Sequence, residues 1–198
     1  MAMTQSQRLG IFSVLALVMA ATRLHHFDAI PDASWGVFFL AGFWLRGSAR
    51  WAFPLLMAEA VLVDFFAITS QGLSFWSHYC VSPGYWFLVP SYFALWLGGQ
   101  WLARHQAGVR ASTLGLAALA LLVSEAVCYA LSNASFYWLS PTTAAARSLD
   151  GWLVNLGDWY LPFLGTTVLY VGIGAALHVG VTLLAHTLGD SSKPGLSH

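Results

Sequence analysis

The chain has 198 residues, of which 58% are hydrophobic and only 8% charged, and its formal net charge is zero. About a quarter of the residues in a soluble globular domain are charged, so this composition excludes an ordinary soluble protein. The lack of a basic cluster in the sequence argues against nucleic acid as a partner. The apolar runs are long and do not alternate, which predicts helices that cross a membrane and satisfy their own backbone hydrogen bonds.

Six transmembrane helices are predicted, forming a single domain over residues 1–190 with a polar tail at 191–198. In chain order their approximate bounds are Leu9 to Leu24, Ser34 to Leu45, Phe53 to Thr69, Pro83 to Leu102, Thr113 to Leu131 and Asp158 to Leu188. Arg8 and Arg23 flank the first helix, where long side chains can reach the lipid headgroups. Pro90 is expected to kink the fourth helix. The longest connection is predicted over 133–157.

Six helices place both termini on the same side of the membrane, and the basic residues indicate which side. Six of them lie on the side of the termini: Arg8, Arg46, Arg50, Arg104, Arg110 and Lys193. The positive-inside rule therefore predicts that both termini are cytoplasmic. The first, third and fifth connections then face outward, and a site built from them would open away from the cytoplasm.

Cys80 lies in the third connection among aromatic residues, with His78 two positions before it and Tyr85 five positions after it. A thiol here, close to a helix start that would favour the thiolate, could hold a soft metal ion or a redox centre. A free cysteine is also commonly a small buried hydrophobic residue. Cys128, in the middle of the fifth helix, is interpreted as a buried hydrophobic residue of this kind.

Three acidic residues, Glu59, Asp64 and Glu125, fall inside predicted helices. Each is costly in lipid and is expected to face the interior of the bundle, paired or protonated. Asp64 is near the outer end of its helix, so it is the best placed to form the polar floor of a pocket. Hydrogen bonds between helices are the alternative role for all three.

The pattern resembles a known family. Six helices, an outward site on alternate connections and the small-residue pair Ala16 and Ala20 on the first helix resemble the substrate-binding S-components of energy-coupling-factor (ECF) vitamin transporters. The segment Ser77-His78-Tyr79-Cys80-Val81-Ser82-Pro83-Gly84-Tyr85 and its adjoining helices more closely resemble the BtuM family of bacterial cobalamin transporters. This resemblance extends over essentially the whole chain.

The resemblance implies an S-component-like bundle in the bacterial inner membrane that takes up vitamin B12 (cobalamin), with Cys80 as an axial ligand of the corrinoid cobalt. It also leaves two ways of powering transport: an ECF energising module docked through Ala16 and Ala20, or a solitary protein. We expect a transporter rather than an enzyme. If the Cys80 thiolate replaces an upper cobalt ligand such as cyanide, the protein would also promote loss of that ligand.

A corrinoid pocket needs apolar walls and scattered hydrogen-bonding groups. From their positions, the residues predicted to contact the ligand besides Cys80 are Tyr85, His26, Asp28, Asp64, Arg147 and Asp150.

Two other functions fit the same residues. A membrane thiol enzyme or redox protein would use Cys80 as the nucleophile and His78 as the base. A metal or haem protein would use the outer histidines His25, His26 and His78, although their spacing with Cys80 matches no defined motif. The sequence carries no Walker, GxGxxG or HExxH motif, so the chain has no recognisable ATPase, dinucleotide-binding or zinc-protease signature of its own.

Overall fold

A computed structural model describes residues 3–24, 30–106 and 108–191, and over these residues the chain is helical with no strand. The α-helices in these ranges are α1 (Gln5–Arg23), α2 (Ser34–Trp44), α3 (Ala49–Thr69), α4 (Leu88–His105), α5 (Ala111–Leu139) and α6 (Leu149–Ser191). Short 3₁₀ helices occur at Phe75–Ser77, Pro83–Phe87 and Pro141–Ala146. Within these described ranges, three segments are long and apolar enough to cross a membrane: α3, α5 and Leu149–Ala185 of α6. The all-helical prediction is confirmed, and most of the predicted tail lies outside the described residues.

The long connection predicted over 133–157 is wrong, because α5 continues to Leu139 and α6 already begins at Leu149. The polar residues that suggested a loop form hydrogen bonds with one another between the two helices. The amide nitrogen of Asn133 donates to the side-chain oxygen of Asn155 at 2.8 Å, and the Trp152 indole donates to the Asn133 side-chain oxygen at 3.0 Å. Paired in this way, these side chains can lie between two helices with most of their polar groups hydrogen-bonded.

Pro90 does not need to kink α4, contrary to the prediction. The α-helix begins only at Leu88, because Pro83–Phe87 forms a separate 3₁₀ helix. Pro90 therefore falls in the first helical turn, where backbone N–H groups have no partner within the helix.

The α2 helix is the centre of the bundle, and all residues from Ser34 to Gly42 are buried. Two glycines let α2 and α4 approach until their backbones touch. A Cβ placed on Gly99 would lie 1.9 Å from the carbonyl oxygen of Phe39, and one placed on Gly42 would lie 2.1 Å from that of Trp96. Only glycine fits at either position, so these two residues set the distance between the helices.

Successive helices run in opposite directions, which brings the first, third and fifth connections to one end of the bundle. Arg23 at the end of α1 reaches Asp64 near the end of α3 and Tyr92 near the start of α4. We call this end of the bundle the cavity end. At the opposite end, Arg46 after α2 donates to the carbonyl oxygen of Ala103 near the end of α4.

Candidate functional site

A cavity of about 490 Å³ lies at the cavity end, and each of the six helices contributes to its lining. The volume is within the range of small-molecule sites, about 300–1,000 Å³. The lining side chains form an aromatic wall, a polar cluster and a thiol in the connection between α3 and α4.

The aromatic wall is formed by side chains of α2, α5 and α6: Trp35, Tyr129, Phe136, Trp159 and Phe163. Trp35 and Phe163 stack with their ring centroids 4.9 Å apart and their planes inclined by 25°. Tyr129 packs against both rings. The wall therefore offers a broad apolar surface to a flat ligand.

The polar cluster is centred on Arg23, which is only 6% exposed. Its Nε and Nη2 atoms donate to the two carboxylate oxygens of Asp64, each at 2.7 Å. Its Nη1 donates to Asp32 and to Ser34, each at 3.0 Å, and to the Tyr92 hydroxyl at 3.3 Å. A guanidinium withdrawn from water needs such pairing. The prediction that Arg23 reaches the lipid headgroups is therefore wrong.

Tyr85 joins this cluster from the Pro83–Phe87 helix, its hydroxyl donating to Oδ2 of Asp64 at 2.5 Å. Burial raises the pKa of the Tyr85 hydroxyl, and the charge of Asp64 raises it further, so the phenol stays neutral and can donate. Gly84 lets this short helix lie against α5, since a Cβ there would be 2.6 Å from the carbonyl oxygen of Ser135.

Cys80 lines the same cavity and is partly buried. Burial raises the pKa of its thiol, while a hydrogen bond from Tyr79 opposes that shift. The direction of this shift is opposite to the one expected from a nearby helix start, because withdrawal from water disfavours the charged thiolate. His78 also lines the cavity, but its Nδ1 accepts the backbone N–H of Cys80 at 3.3 Å.

Three of the predicted ligand-binding residues, Cys80, Tyr85 and Asp64, line the cavity. Two others are exposed and lie outside the lining: Arg147 donates to the carbonyl oxygen of Ser140, and Asp150 is in the first turn of α6. His26 and Asp28 fall outside the described residues, as does His25.

Several cavity residues were not predicted to bind ligand: Arg23, Asp32, Tyr92, Asn133 and Asn155. One sequence feature could have identified them: each is polar and close to the outer end of an apolar segment, where buried polar groups tend to be functional. Over the described parts of the chain, no three His, Cys, Asp or Glu residues are grouped so as to hold a metal ion.

A scan against protein-family models gives no match to the chain, and a search of curated proteins gives none either.

Proposed function

We propose that this chain is a bacterial inner-membrane transporter that takes up a corrinoid, cobalamin, and binds its cobalt through the sulfur of Cys80. The observation that carries the proposal is the position of Cys80 on the lining of a cavity with aromatic walls and a paired polar cluster. Sulfur is a soft donor that could occupy an axial position on cobalt. The resemblance of the Cys80 segment to the BtuM family supports the same ligand.

The other residues that line the cavity suit the apolar ring and the polar rim of such a ligand. The ring system of a corrinoid is flat and apolar, and the aromatic wall offers it a matching surface. Amide groups surround that ring. Asn133 is already engaged by Asn155 and Trp152, but the side-chain nitrogen of Asn155 donates to none of the described residues and can bond to a carbonyl of the ligand. A corrinoid is larger than a drug-sized ligand, so the cavity would hold one face while the rest lies among the outer connections.

We propose six membrane spans, with the cavity end facing outward and both termini in the cytoplasm. The arginines at the opposite end of the bundle support this orientation through the positive-inside rule. For energy, the protein either docks an ECF module through Ala16 and Ala20 or acts alone. Ala16 packs partly against the core of the bundle, so any docking there would use only its remaining surface.

Cobalt ligation by Cys80 can also remove an upper ligand. In that step the thiol gives up its proton, a cobalt–sulfur bond forms, the cobalt–cyanide bond breaks, and cyanide leaves as hydrogen cyanide. No electron is transferred overall. Because burial raises the pKa of the Cys80 thiol, the binding of cobalt supplies the driving force for deprotonation.

The test is the visible absorption spectrum of purified protein after incubation with cobalamin. We expect the wild type to retain a coloured corrinoid with an altered spectrum, and Cys80→Ala to give a spectrum like that of the free compound. Cys128→Ala is the matched control, because Cys128 is fully buried and lies outside the cavity lining; its spectrum should match the wild type. A colourless wild-type protein would overturn the proposal.

A further inference from the structure

Glu59 places a carboxyl group at the middle of a membrane-spanning helix. The α3 helix has 21 residues, and Glu59 has ten helical residues on each side. At about 1.5 Å per residue it is therefore about 15 Å from either end of the helix. The hydrocarbon core of a bilayer is about 30 Å thick, so Glu59 lies near its midplane.

The Glu59 side chain is partly exposed on the outside of the bundle, which contradicts the expectation that it faces the interior. It makes no ion pair or hydrogen bond with the residues described by the structure. Asp64, one and a half turns later on the same helix, is held by Arg23 and Tyr85. The contrast arises because Asp64 turns toward the cavity and Glu59 does not.

The described residues offer no cation to neutralise Glu59. Arg23 is the one buried arginine among them, and its guanidinium is already engaged by Asp32 and Asp64. The other arginines in these ranges lie within a turn of a helix end or between helices, far from the middle of α3. Charged groups within the membrane usually pair with one another, so a cation that keeps Glu59 ionised would come from outside this part of the chain.

Apolar side chains extend the surface above and below Glu59. Leu55, Leu62 and Phe66 are all exposed. With Glu59 they are spaced by four, three and four residues, which puts them on one face of α3. This spacing is the one with which a helix packs along a second helix. We name Leu55, Glu59, Leu62 and Phe66 the α3 stripe.

We propose that the α3 stripe is a docking surface for a transmembrane helix of a partner protein that carries a lysine or arginine at the middle of the membrane. The stripe leucines and Phe66 pack along the partner helix, and the Glu59 carboxylate pairs with its cation. Pairing neutralises both charges within the bilayer and fixes the depth at which the two helices meet. The proposal does not depend on corrinoid uptake.

The experiment uses the whole protein in phosphatidylcholine vesicles with synthetic transmembrane peptides of about 20 leucine and alanine residues. The peptides differ only in the central residue, which is lysine, leucine or glutamate, and each carries a dansyl acceptor. Energy transfer from the protein's tryptophans reports association. We expect the lysine peptide to bind the wild-type protein at least tenfold more tightly than it binds the Glu59→Gln variant. The wild-type protein should not bind the glutamate peptide.

A second pair of variants tests the stripe without altering a charge. Leu62→Ala should weaken binding of the lysine peptide, whereas Leu119→Ala on α5 should not. These two leucines are both 56% exposed, so they are matched in exposure. Equal binding of the lysine peptide to the wild type and Glu59→Gln, or no binding, would overturn the proposal. Glu59-dependent dimers in peptide-free vesicles would overturn it too, because the occupant would then be a second copy of the chain.

Discussion

A buried guanidinium is tolerated only where its charge and its N–H groups are satisfied, and Arg23 meets this need by linking α1 to residues on α2, α3 and α4. The bidentate pair with Asp64 is the strongest of these links by geometry. Removing one member of a buried pair leaves the other charge without compensation. The cavity end should therefore depend on this pair for its stability.

We predict that Arg23→Met lowers the free energy of unfolding by about 3–5 kcal/mol. Asp64→Leu should be destabilising for the same reason, and the double variant should cost less than the sum of the two, since contacting residues couple. Unfolding in mixed micelles titrated with a denaturing detergent measures this. Arg50→Met is the control, because that side chain is exposed and makes no hydrogen bond or ion pair with the described residues, and it should change stability by less than about 0.5 kcal/mol. Additive effects of the two cavity variants would contradict the interpretation.

The Cys80 thiol should be a weak nucleophile at neutral pH. Burial raises its pKa, so the thiol stays protonated until the pH exceeds that raised value and the alkylation rate climbs. The rate of reaction with iodoacetamide should therefore reach half its maximum above the ordinary pKa of cysteine. Tyr79→Phe should move the midpoint higher still, because it removes a hydrogen bond that lowers the pKa.

Cys80→Ala is the control for the alkylation experiment, and it should abolish the reaction since Cys128 is fully buried. A midpoint at or below the ordinary pKa would show an activated thiolate. That result would favour the thiol enzyme that the sequence left open.

Among the helices, the close contact between α2 and α4 restricts which substitutions the bundle can tolerate. We predict that Gly99→Ala destabilises the bundle by about 1–3 kcal/mol, because its Cβ would overlap the Phe39 backbone and the helices would have to move apart. Gly115→Ala is the matched control on α5, where a Cβ meets nothing within 4 Å. It should stabilise the protein by about 0.5–1 kcal/mol through helix propensity. Equal effects of the two substitutions on unfolding would argue against close packing at Gly99.

The positions of the helices could be predicted from sequence, but several of their ends could not. Long apolar runs mark α3 and the middle of α5 and α6 without ambiguity. The ends of α5 and α6 depend on the pairing of Asn133 with Asn155, which are 22 positions apart. A local pattern cannot show that two such polar residues will satisfy each other.

The residues that line the cavity, like the helices, could be predicted from the sequence only in part. Cys80, Tyr85 and Asp64 could be predicted because each is chemically distinctive and lies in or near the connection between α3 and α4. Arg23 was missed because an arginine at a helix end ordinarily extends to the headgroups. Its burial depends on carboxylates 9 and 41 positions away along the chain.

For the molecule as a whole, the separation of the cavity end from the arginine-rich end predicts its orientation. Trp76 and Val109 are exposed residues of connections at these two ends. In a background without Cys80 and Cys128, Trp76→Cys should react with a membrane-impermeant maleimide in intact bacterial spheroplasts. Val109→Cys should react only after lysis. The reverse labelling pattern would show that the cavity faces the cytoplasm.

Because α6 is long, the tilt of the bundle should depend on the thickness of the bilayer. Its 43 residues extend for about 64 Å, roughly twice the hydrocarbon core. A helix longer than the core tilts or thickens the surrounding lipid, but α6 cannot tilt alone, because Tyr170 packs against Gly36 and His178 against Trp44 of α2. The whole bundle must share the tilt, and with it the cavity lined by Asn155 and Trp159. Membranes with shorter or longer acyl chains would therefore present the cavity to the solution at different angles.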